Sequence, residues 1–156
     1  MRPEEKLGEL LAKRGWTVSV AESCTGGLLA GRLTDVPGSS LYFRGGLVAY
    51  QGVVKRRLVG VSRRALKRGG VSDEVTRALA IGCRKRLRTD LALGVTGIAG
   101  PSGGTEGMPV GTTFVAVDSR RGTRCERFLF TGDRASNREQ AVQAALRMAI
   151  EAIEAS

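Results

Sequence analysis

The chain has 156 residues, 42% of them hydrophobic and 26% charged, with 25 basic against 15 acidic side chains and no histidine. That size and apolar content fit one compact domain over residues 1–156 and are too small for two ordinary ones. No uninterrupted apolar run reaches bilayer length, and the start, Met1-Arg2-Pro3-Glu4-Glu5-Lys6, lacks the apolar core of a secretion signal, so a cytoplasmic location is expected.

The first expected element is a helix over Pro3 to Arg14, with proline in its first turn, Glu4 and Glu5 near its positive end and Gly15 as its stop. A strand is expected at Thr17 to Ala21, and a short helix at Leu28 to Leu33 after the glycine pair 26 and 27. The turn Asp35-Val36-Pro37-Gly38 follows. Gly46 to Tyr50 reads as a second strand and Val53 to Leu58 as a basic helical turn. Ser72 reads as the N-cap of a helix running toward Arg88, with Asp73 and Glu74 in its first turn. Leu91 to Val95 is a buried strand by its apolar run, and a glycine-rich loop extends from Thr96 toward Pro109. Thr112 to Asp118 and Thr123 to Phe130 form a strand pair joined around Arg121-Gly122, and a final helix starts after Asp133. Helices alternating with strands predict an α/β fold. A three-layer α/β/α sandwich is expected, with a mixed sheet because the closing strand pair is antiparallel.

The net charge of +10 and pI near 10.5 invite a nucleic-acid partner. Read along the chain, however, Arg56, Arg57, Arg63, Arg64, Lys67, Arg68, Arg84, Lys85, Arg86 and Arg88 look like solvated faces of short helices. Aromatic residues at 4% offer no stacking platform, so an anionic small substrate is the better expectation and nucleic acid is not expected as the main partner. Cys24, Cys83 and Cys125 are odd in number, widely spaced and unaccompanied by histidine, which argues against a disulfide framework and a metal site.

In an open α/β sheet, ligands gather at strand ends. The loops Glu22 to Gly27, carrying Ser23, Thr25 and Gly26, and Thr96 to Gly104, carrying Thr96 and Gly97, are the expected walls of a site. Their backbone N–H groups suit an anion or an oxyanion. Arg134 and Arg138 lie in the first turns of the last helix, where cations are unfavourable unless an anion such as a phosphate binds there too. Without histidine, a serine nucleophile needs another base, and a lysine serves only while neutral. Lys55 is the candidate, with Tyr50 five residues before it. Cys24 is a rival nucleophile without a histidine partner, read as a small packed residue.

Taken together, several motifs resemble those of the C-terminal domain family of the competence-damage-inducible protein CinA. These are Ala21-Glu22-Ser23-Cys24-Thr25-Gly26-Gly27, Pro37-Gly38-Ser39-Ser40, Phe43-Arg44-Gly45-Gly46 through Tyr50, Lys55, Gly70-Val71-Ser72, Thr96-Gly97-Ile98-Ala99-Gly100-Pro101, Pro109-Val110-Gly111-Thr112 and Gly132-Asp133-Arg134. Stand-alone members of that family are nicotinamide-nucleotide amidohydrolases, also called NMN deamidases. The resemblance implies hydrolysis of the carboxamide of nicotinamide mononucleotide to nicotinate mononucleotide and ammonia, in pyridine-nucleotide salvage, without metal or other cofactor. It assigns Ser40 as nucleophile, Lys55 as general base and Tyr50 as assisting hydroxyl. Ser23 and Thr96 would line the site or hold the oxyanion, and Arg134 would hold the substrate phosphate. A homodimer or larger homo-oligomer is implied as well. The alternative is a catalytically silent nucleotide-binding or DNA-damage-associated accessory protein on the same fold. Two positions depart from the family pattern, Gly52 in place of asparagine and Ser102 in place of aspartate.

Overall fold

A computed structural model describes residues 1–156. Five strands form one sheet in the order β2-β1-β3-β4-β5, with β1 Val18–Glu22, β2 Phe43–Val48, β3 Leu91–Gly97, β4 Thr112–Ser119 and β5 Gly122–Leu129. The first three pair in parallel and the last two add antiparallel, which gives the expected mixed sheet. Six helices complete the chain: α1 Pro3–Arg14, α2 Leu28–Thr34, α3 Gly52–Val54, α4 Arg63–Leu66, α5 Asp73–Leu87 and α6 Arg134–Glu154. A single 3-10 turn covers Ser39–Leu41, and α3 runs on into a π-helical turn at Lys55–Val59.

The sheet alternates its side chains between two cores. Val18, Val20, Leu91, Leu93, Val95, Val115 and Val117 face α1, α2 and α6 in the larger one. Ala21 and Ala92 point the other way, into a smaller core with Val75, Leu79 and Cys83 of α5 and Val59 and Val61 after the π turn. Small residues let α5 lie close on that face: a Cβ at Gly94 would stand 2.6 Å from the Thr76 carbonyl oxygen and 3.0 Å from the Ala80 nitrogen. Ser72 caps α5 through Val75 N–H, and Asp133 caps α6 through Ser136 N–H, as their spacing predicts.

Two expectations need correction. The second strand lies at Phe43–Val48, not at 46–50: it starts three residues earlier, taking in Gly45, and ends two residues earlier. A Cβ at Gly46 would meet Val20 Cγ2 at 2.8 Å, so close approach of β2 to β1 demands the glycine. The four-residue helix α4, capped by Ser62 through Ala65 N–H, has no long apolar period and was not expected.

The chain crosses from β1 to β2 through α2 on one face and from β2 to β3 through α3 to α5 on the other. Strand order therefore reverses beside β1, and the crevice outside the carboxyl ends of β1 and β3 is where an open α/β sheet receives ligands. No helix is long and apolar enough to cross a membrane.

Candidate active site

At the carboxyl end of β1 the chain turns into the loop Ser23–Gly27. Glu22, fully buried, points its carboxylate at the start of α2 and accepts hydrogen bonds from Leu29 N–H at 2.8 Å and Ala30 N–H at 3.0 Å. This anion neutralises the positive end of α2 from below and fixes where the loop can go. From above, Arg138 of α6 donates through Nε to the Cys24 carbonyl at 3.0 Å and through Nη2 to the Thr25 carbonyl at 2.9 Å. Peptide planarity then directs the Thr25 N–H away from the guanidinium. The amides of Cys24 and Thr25 donate to no protein acceptor, and the buried Thr25 Oγ1 has no partner either. Ser23 N–H is tied to the Val95 carbonyl at 3.0 Å, so the hydroxyl of Ser23 stands on a loop held at three points.

Lys55 is the one buried cation of the chain, 3% exposed. The π turn aims its side chain inward, where Nζ donates to Ser23 Oγ at 3.0 Å and to the Tyr50 carbonyl at 2.7 Å. A Cβ at Gly70 would stand 3.3 Å from Nζ, so this wall of the lysine pocket is backbone. Desolvation pushes the Lys55 ammonium below its ordinary value of 10.5, and no carboxylate pairs with it to reverse that. Burial pushes the neighbouring Cys24 thiol up to about 11. Cys24 is thus a neutral, packed thiol at neutral pH, neither a nucleophile nor a counter-ion for Lys55.

The expected site residues divide. Ser23 and Lys55 come together. Ser40 does not join them: it sits exposed on the 3-10 turn before β2, whereas Lys55 follows the other end of that strand. β2 pairs with β1 from Phe43 opposite Val18 to Val48 opposite Glu22, so about 16 Å of strand separates the Ser40 turn from the Ser23 loop. The hydroxyl within reach of Lys55 is Ser23. Tyr50 serves Lys55 with its backbone carbonyl, while its half-exposed hydroxyl accepts a hydrogen bond from Arg134 Nη2 at 3.2 Å. Arg134 also donates to the Gly100 carbonyl at 2.8 Å, which leaves three of its N–H groups free at the rim. Thr96 turns under the first turn of α5 and shares a hydrogen bond with Thr76 at 2.8 Å. Gly97 passes beside Cys24, where a Cβ would stand 3.0 Å from the thiol sulfur. Gly26, at φ +57°, stands opposite Arg138. Gly52 opens α3, and the turn still delivers Lys55 to Ser23 with glycine there; Ser102 is exposed.

Sequence reasoning gave no role to Glu22 or to Asn137. Asn137, 2% exposed, donates to the Ala99 carbonyl at 3.1 Å and accepts from Gly132 N–H at 3.0 Å, pinning the glycine-rich loop to α6. A carboxylate directly before a Gly-rich turn was the available signal for Glu22. For Asn137 the sequence carries none.

The comparisons with known proteins agree with this architecture. The CinA C-terminal domain family matches residues 2–153. A CinA-like protein of Geotalea uraniireducens is 50% identical over 129 residues, 82% of this chain and 31% of that protein. A CinA-like protein of Chlorobium phaeobacteroides is 46% identical over 156 residues, 96% of this chain and 37% of that protein; the chain thus spans about a third of the length of such curated relatives. The crystal structure of a competence/damage inducible protein from Agrobacterium tumefaciens superposes with a TM-score of 0.91 at 37% identity, covering 97% of this chain and 95% of that one. The chain belongs to the CinA C-terminal domain family.

Proposed function

We propose that this chain is a Ser/Lys amidohydrolase acting on the carboxamide of nicotinamide mononucleotide, with Ser23 in place of Ser40 as the nucleophile. The observation that carries the reading is the buried, carboxylate-free Lys55 Nζ at 3.0 Å from Ser23 Oγ. In the neutral fraction of Lys55, the amine takes the Ser23 proton as the oxygen attacks the amide carbon. The free amide of Cys24, next to the nucleophile, receives the oxyanion, the role of backbone N–H groups in many acyl transfers. Lys55 returns its proton to the departing nitrogen, ammonia leaves, and a water activated by the same amine resolves the acyl-serine to acid and free hydroxyl. Arg134, held against Tyr50 and the Gly100 carbonyl, supplies free N–H groups for a phosphate at the rim.

Val48 and Tyr50 leave apolar surface exposed at the end of β2 and just after it, beside the site. A second copy of the chain is the partner we expect to cover it. Incubation with nicotinamide mononucleotide in the presence of a chelator tests the activity: ammonia and nicotinate mononucleotide should appear in equal amounts. A folded protein that releases neither contradicts the reading.

A further inference from the structure

The charges of this chain are sorted by layer. Residues 36–89 hold thirteen of the 25 basic side chains and two of the fifteen acidic ones, Asp73 and Glu74. They form β2 and the layer α3, α4 and α5, while the opposite layer of α1, α2 and α6 holds a near-balanced set. Pairing follows the same division. On the opposite layer Arg2 meets Glu4 and Glu5, Lys6 meets Glu154, Arg32 meets Glu139 and Arg124 meets Glu151. In the basic segment only four of the thirteen are engaged: Lys55 in the site, Arg44 on the carbonyls of Leu87 and Arg88, Arg77 on Asp73 and Arg84 on Asp118. Arg56, Arg57, Arg63, Arg64, Lys67, Arg68, Lys85, Arg86 and Arg88 have neither ion pair nor hydrogen bond, and all but the half-buried Arg56 are exposed.

The layer draws these cations together. The π turn packs on α5, with the Val59 carbonyl against Gly82 and the Arg86 guanidinium over Gly60. Arg56, Arg63 and Lys67 line a groove of about 480 Å3 with Gly52, Val53 and Leu66, and no carboxylate enters it. α4 turns Ala65 inward, keeps Leu66 half-buried at the groove wall and presents Arg63, Arg64 and Lys67 outward. From residue 52 to residue 89 there is no Asn, Gln, His, Phe, Tyr or Trp. Such a surface can neutralise a row of phosphates, and it has no aromatic ring to stack a base and no side-chain amide to read one.

We infer that the α3–α5 layer binds the phosphodiester backbone of a nucleic acid without regard to sequence, at a surface separate from the Ser23–Lys55 site. Read along the chain, the same arginines look like scattered solvated faces; their convergence is a product of the fold. The binding is electrostatic, by release of counterions, and its signature is salt dependence.

The test is fluorescence anisotropy with two unrelated labelled duplexes of about 20 base pairs, over a salt series. Engagement of four or five cations predicts equal affinity for both sequences and a slope of log K on log salt of about −4. Arg63→Glu with Lys67→Glu should weaken binding at least about tenfold and flatten the slope by about 2. Lys13→Glu with Arg147→Glu, on the opposite layer, changes net charge equally and should leave most of the affinity. Thermal melts confirm that both variants fold. Equal loss in the two variants, absence of salt-dependent binding, a preference for one sequence, or binding to phosphatidylserine vesicles without binding to DNA would each overturn the inference.

Discussion

Glu22 offers a quantitative test of how the fold presents the proposed nucleophile, Ser23. Its carboxylate accepts from Leu29 and Ala30 N–H at 2.8 and 3.0 Å, fully buried and one residue before Ser23. Glu22→Gln keeps the shape but turns an NH2 group toward one of those two donors. One charge-assisted bond is lost, worth about 1.5 to 3 kcal/mol, along with the interaction of an anion with the positive end of α2, which adds up to about 2 kcal/mol when buried. The variant keeps one bond and can relax, so a net loss of about 2 kcal/mol is expected, which for a chain of this size lowers Tm by roughly 4 to 8 °C. Circular dichroism melts of wild type and variant measure it, and kcat/KM for deamidation should fall alongside because the Ser23 loop loses its lower anchor. A Tm within about 1 °C of wild type would refute the assignment of Glu22 as that anchor.

Three further outcomes follow from the same geometry. Burial makes folded Lys55 hold its proton less tightly than the unfolded chain does, so stability rises with pH between the depressed folded value and 10.5. Lys55→Met should therefore raise Tm at pH 7 and flatten that rise while abolishing activity, whereas Lys55→Arg should be inactive at every pH because guanidinium does not deprotonate; in the wild type, kcat/KM should climb with pH through one ionisation below 10.5. Arg138→Lys replaces a two-carbonyl clamp by a point charge and should lower kcat by about tenfold or more with little change in KM, measured by steady-state kinetics. Gly46→Ala places a methyl group 2.8 Å from Val20 Cγ2 and should cost about 1 to 3 kcal/mol in denaturant unfolding.

Elements with local signals were legible in the sequence. Pro3 and Gly15 bound α1, Ser72 caps α5, Asp133 caps α6, and each signal is written within a few residues of the boundary it sets. The start of β2 was misplaced by three residues because the reason for its Gly46 is a neighbour in space, Val20, which no local pattern records. The site behaves alike. Lys55 was legible as the candidate base, since the chain lacks histidine and the family resemblance points to this lysine. Its partner was not, because choosing between Ser23 and Ser40 depends on which end of β2 meets the end of β1, a matter of parallel register that spacing does not encode. Arg138 likewise reads as an anion ligand from its place near a helix start, and only the packing of α6 on the Ser23 loop turns it toward two carbonyls.

The most direct measurement compares Ser23→Ala and Ser40→Ala for release of ammonia from nicotinamide mononucleotide under identical conditions. The geometry predicts that Ser23→Ala loses activity by about a thousandfold or more while Ser40→Ala stays close to wild type. Full activity in Ser23→Ala, or its loss in Ser40→Ala alone, would contradict the Ser23–Lys55 pair as the catalytic centre.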